Sequence, residues 1–117
     1  MNDITNRRDI HLLVDLFYTK VLKDELIGGF FTHLNFKDHL PKIIEFWSFV
    51  LLDEPGYQTN VVGKHLQMKI EQQHMDRWIA LFKATLKENF EGEKANTALQ
   101  RAEWIAWTIL HKIHEKS

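Results

Sequence analysis

Seven histidines and no cysteine stand in a chain of 117 residues. Without cysteine there are no disulfides, thiolate nucleophiles or cysteine-ligated zinc and iron–sulfur centres, so a metal ion would have to be held by His, Asp, Glu or Tyr. Zinc asks for three or four ligands at close helical spacings. His111 and His114 lie three apart near the chain's end, but no Glu-flanked set accompanies them, and the dipole of a helix C-terminus explains such a pair as well. His39 stands four residues before Ile43 and eight before Trp47, so its ring shares their helical face. A boundary histidine bonded to backbone or water fits that place as well as a ligand does. His65 sits between Lys64 and Leu66, with Met68 beyond, in a stretch of weak periodicity where imidazole adds little to a core.

Haem makes a different demand: one axial imidazole, a large apolar slot and distal hydrogen-bond donors. Phe17, Tyr18, Phe30, Phe31, Phe46, Trp47, Phe49, Trp78 and Phe82 supply more flat apolar surface than a four-helix core of this size requires. Aromatics at helical spacing are also what an ordinary core contains. The residues alone therefore suit either a haem protein or a cofactor-free helical interaction module, which would purify colourless.

Four long helices have to position these groups. Ile10, Leu13, Val14, Phe17, Tyr18 and Val21 mark one face of a helix over Asp9–Leu22, with Asp9 as cap or first-turn acid. Gly28-Gly29 limits the next segment, from Lys23 to Phe31, to a short helix or turn ending at Phe30 and Phe31. Leu40, Ile43, Ile44, Trp47, Val50 and Leu51 predict a second helix from about Asp38 to Leu52, with Pro41 tolerable in its first turn. Asp53 to Gly56 reads as a loop, and Tyr57 to Gln73 as sparse, with only a short helix. A third helix is expected over His74–Phe90, stopped by Gly92, and a fourth from about Glu93 to His114. No strand signal appears.

The bulk properties agree with one ordinary domain spanning residues 1–117. A formal charge of -1 gives no net pull toward nucleic acid or an anionic membrane. Residues 1–9 lack the pattern of a signal or transit peptide, and no apolar run is long enough to span a bilayer, so a soluble, cytoplasmic protein is expected.

The order Phe17-Tyr18-x-x-Val21, Gly28-x-Phe30-Phe31, His39-x-x-Lys42-Ile43-x-x-Phe46-Trp47, Tyr57, His65 and Arg77-Trp78-x-x-Leu81-Phe82 resembles the truncated haemoglobins, most of all their third group. Each motif is weak, but the ordered set is specific and covers about Ile10 to Ile113. The glycine motifs of the first and second groups are not evident, and the connection from Phe31 to His39 is short. The resemblance implies an all-α, globin-like fold, a truncated two-over-two helical sandwich, holding haem b. It implies that His65 is the proximal iron ligand, with His74 its rival four residues before Trp78, and that Tyr18, His39 and Trp78 face the bound gas. Phe31, Ile43, Phe46, Trp47, Tyr57, Val61, Met68 and Phe82 are expected around the porphyrin. Lys42, one turn beyond His39, is placed to reach a propionate or to stay solvated. Oxygen, nitric oxide and carbon monoxide are the expected ligands, with redox chemistry on nitric oxide or peroxide, aided by an electron-donating reductase, favoured over oxygen transport. A gas sensor working through a separate partner is the other functional reading, because no signalling segment is visible.

Overall fold

Asn6 starts the first helix, α1 (Arg7–Lys23): its backbone is extended and its side chain accepts the Asp9 N–H at 3.0 Å. Asp9 is thus a first-turn acid and not the cap; its carboxylate takes the Thr5 N–H at 2.9 Å. The residues expected to face the core, Ile10, Leu13, Val14, Phe17, Tyr18 and Val21, are the ones α1 buries. The computed structural model describes residues 1–31, 36–54 and 70–116.

Beyond α1 the chain turns through Asp24 into a single 3-10 turn, Gly28–Phe30. Gly28 is needed for closeness: a Cβ there would stand 3.0 Å from the Leu22 carbonyl oxygen and 3.1 Å from that of Val21. The second helix, α2 (Phe36–Leu52), starts two residues earlier than its periodicity suggests. Pro41 therefore falls in the second turn and has no N–H to give the Lys37 carbonyl. Asp53, at φ 55, ends α2 in the left-handed region, and the Glu54 N–H reaches back to the Ser48 carbonyl.

The third helix, α3 (Gln72–Asn89), also begins two residues early, and the fourth, α4 (Glu93–Lys116), runs to the end of the described chain. Gly92, at φ 142, makes the corner between them. A side chain there would meet Asp3, whose carboxylate accepts the Lys94 and Ala95 N–H groups, each at 2.9 Å, and so caps α4 from the far end of the sequence.

α1 packs on α2 and α3, α4 packs on α3 and α2, and no strand occurs among the described residues. The result is the two-over-two helical sandwich expected from the sequence. Two apolar clusters fill it. The larger centres on α1 with Ile44, Trp47, Phe82 and Leu86; the smaller joins Ile70 and Met75 to Ile105, Ala106, Ile109 and Leu110. Phe30, Phe46, Trp78 and Ile79 pack against both. Among the described residues no helix is long and apolar enough to cross a membrane.

Candidate haem and gas-ligand site

A cavity opens at the seam between the two clusters. The space between its walls, with the open solvent at its mouth included, is about 940 Å³. α1 contributes Tyr18, the 3-10 turn Phe30 and Phe31, and α2 one continuous helical face of His39, Lys42, Ile43, Phe46 and Trp47. The spacing 39, 42, 43, 46 is the reason one helix can line so much of a wall. α3 adds His74, Met75 and Trp78, and α4 closes the far side with Ile105, Ala106 and Ile109.

The polar groups are few and placed at defined points. Tyr18 is buried, its ring edge-on to Phe17 at 5.1 Å, to Phe31 at 5.9 Å and to the His39 imidazole at 6.0 Å. Burial pushes its phenol well above the ordinary 10.0, so the O–H stays a donor across the whole physiological range. Trp78, whose indole N–H can only donate, stands 5.5 Å from Phe17, the same ring that braces Tyr18. The Lys42 side chain stands at the exposed edge. His74 meets Phe30 edge-on at 4.9 Å, and its Nδ1 accepts the Glu71 N–H at 2.9 Å.

Eight residues expected at the site come together on this wall: Tyr18, Phe31, His39, Lys42, Ile43, Phe46, Trp47 and Trp78. Phe82 does not. It lies one layer behind, 1% exposed, stacked between Trp47 at 5.2 Å and Trp78 at 5.9 Å. It stiffens the wall without forming it. His65, Tyr57, Val61 and Met68 lie outside the described residues. Ile27, Ile70, Met75 and the α4 trio also line the cavity, although no motif in the sequence assigns them to it. The i, i+4 pair Ile105 and Ile109 was a visible signal of an apolar face; which cavity that face would close was not.

The walls suit a flat, apolar group with a polar edge. The slot is aromatic and aliphatic along its depth, donors gather on one side around Tyr18 and His39, and a cation waits at the rim. Those are the features a porphyrin with two carboxylates requires of a protein.

The comparisons point the same way. A family model described as bacterial-like globin matches residues 2–111. A group 3 truncated hemoglobin of Campylobacter jejuni is 34% identical over 108 residues, spanning 86% of this chain and 85% of that protein. A group 1 truncated hemoglobin of Tetrahymena thermophila is 35% identical over 81 residues, 68% of this chain and 66% of that one. The crystal structure of the group III truncated hemoglobin from Campylobacter jejuni superposes with a TM-score of 0.87 at 30% identity, covering 100% of this chain and 98% of that one. With a helical sandwich, a seam cavity and a family match over nearly its whole length, the chain belongs to the bacterial-like globins and is similar to the third group of truncated haemoglobins.

Proposed function

We propose that this globin binds haem b in the seam cavity, that His65 would hold its iron, and that Tyr18, His39 and Trp78 would face a bound diatomic gas. The observation that carries the reading is that those three polar side chains line one largely aromatic and aliphatic cavity. Bound haem would supply an iron able to take oxygen, nitric oxide or carbon monoxide.

The chain's own part is to grip and shield the ligand. Tyr18 donates its O–H toward the ligand side; because burial keeps the phenol protonated, that donor is permanent. Trp78 supplies a second donor. Each such bond to a ligand carrying partial charge contributes about 1.5–3 kcal/mol, which slows escape by roughly ten- to a hundredfold. Phe31, Phe46 and Trp47 exclude water, which strengthens those bonds. A gas held so firmly is poorly suited to delivery. The favoured activity is therefore redox conversion, of nitric oxide as a dioxygenase or of peroxide, with electrons from a separate reductase, in the cytoplasm.

The test is the absorption spectrum in ferric, ferrous and carbonyl states for the wild type, His65→Ala and His74→Gln. A Soret band that shifts with carbon monoxide, disappears in His65→Ala and persists in His74→Gln is expected. A protein that takes up no haem, or one that keeps an unchanged spectrum without His65, overturns the assignment.

A further inference from the structure

His74 lines the cavity but has no part in gripping the gas. Its Nδ1 accepts the backbone N–H of Glu71 and closes the first turn of α3. A ring nitrogen that accepts must present its lone pair, so in the neutral imidazole the proton sits on Nε2. That tautomer disqualifies His74 as an iron ligand in this conformation: Nδ1 is engaged, and Nε2 carries hydrogen. It also creates a half-buried N–H donor on the cavity wall, for which none of the described residues supplies an acceptor. The ring is held in place by Phe30, 4.9 Å away and at 70°, which lines the same cavity.

A donor fixed in direction by a helix cap, on a wall that also carries the Lys42 ammonium, calls for an anionic acceptor in the occupant. A neutral apolar ligand would accept a hydrogen bond from neither group, and among the described residues no aspartate or glutamate lines the cavity to satisfy them internally. We propose that His74 anchors a carboxylate of the cavity's occupant through its Nε2–H. Resting on the haem reading, that carboxylate is a porphyrin propionate. His74 is then a cofactor-orienting residue that ties the start of α3, and with it Trp78 one turn on, to the seating of the ring.

Two variants separate this from a purely structural cap. His74→Gln and His74→Glu both place at the third helical position a side chain able to accept the Glu71 N–H, as in a capping box. Only Gln can still donate to a carboxylate; Glu repels it. Each protein is loaded with iron protoporphyrin IX or with its dimethyl ester, which has no carboxylate. Transfer of the porphyrin to an apo-globin scavenger is then timed. His74→Glu should lose protohaem about tenfold or more faster than His74→Gln, while the two lose the ester at equal rates. The Soret position of His74→Gln should match the wild type.

Equal loss of protohaem from the two variants overturns the proposal and leaves haem binding intact, as does an ester loss that differs as much as protohaem loss. A wild type that takes up neither porphyrin overturns the haem reading and this one with it.

Discussion

The phenol of Tyr18 concentrates more of the chemistry than any other single group, because it is buried against three rings and cannot ionise cheaply where it lies. Tyr18→Phe removes only the hydroxyl and keeps the ring contacts. In the haem-loaded protein it should speed release of bound oxygen by about tenfold or more, read by stopped-flow displacement with carbon monoxide. An unchanged off-rate would mean that the phenol does not touch the ligand. The same group leaves a signature in stability. The folded protein holds the phenolic proton above the ordinary 10.0, so the stabilisation is complete below that pH and declines as pH rises past it, when the unfolded chain ionises first. Urea midpoints of the wild type should fall between about pH 9 and 11, and those of Tyr18→Phe should fall less. The family resemblance carried by the ordered motifs is what singled out Tyr18, His39, Lys42 and Trp78, and all four line the cavity. Phe82 could not be placed to the correct layer: its spacing from Trp78 gives the face, but depth depends on Trp47, which arrives from another helix.

Helix by helix, the periodicity of apolar side chains located all four long elements to within two residues at each end, since burying one stripe is what makes each helix stable. What it missed are the ties between elements. Asp3 caps α4 across 91 residues, and no local pattern announces it. Asp24, with its side chain 4% exposed, accepts the Leu26 and Ile27 N–H groups at 3.1 Å and the Arg77 guanidinium Nε–H at 2.6 Å. Burial alone would push this carboxyl up; Arg77 and the two backbone donors overcome it and hold the group below its usual value. The pair therefore fastens the turn that carries Ile27, Phe30 and Phe31 to the helix that carries Trp78. Because the guanidinium is half exposed and can rehydrate, the cost of breaking the tie is set by the buried end. Asp24→Asn should lower unfolding free energy by about 1–3 kcal/mol near neutral pH, measured by urea titration. The difference from the wild type should shrink as pH falls below the ordinary 3.8, where the aspartate in the unfolded chain takes up its proton and the ionic contribution is lost. A difference that stays constant through the acid range would show that shape, not charge, is what Asp24 provides.

The molecule as a whole is built in two apolar parts with an opening between them, and that division predicts how it responds to its cofactor. The larger cluster is centred on α1 and contains nearly all of the fully buried aliphatic side chains, Ile4, Ile10, Leu13, Val14, Val21 and Ile27 among them. The smaller one has six buried members drawn from Ile70, Met75 and the later turns of α4. Its buried contacts reach the larger cluster through Phe30, Phe46, Trp78 and Ile79, and the first three of these also line the cavity. Without an occupant, the parts of Phe30, Phe46 and Trp78 that face the cavity lack contacts there, so the two parts are joined more weakly than a filled seam would join them. Opening of the smaller cluster then costs less than global unfolding. A haem seated at the seam touches both parts, so its binding free energy is added chiefly to the coupling between them. Amide hydrogen exchange of the haem-free and haem-loaded protein should therefore differ most in residues 72–79 and 105–112, with protection rising by about a hundredfold or more, and differ least in residues 10–21 of α1. Uniform gains along the chain would show instead that the two clusters already unfold as one unit, and that haem stabilises the fold without joining separable halves.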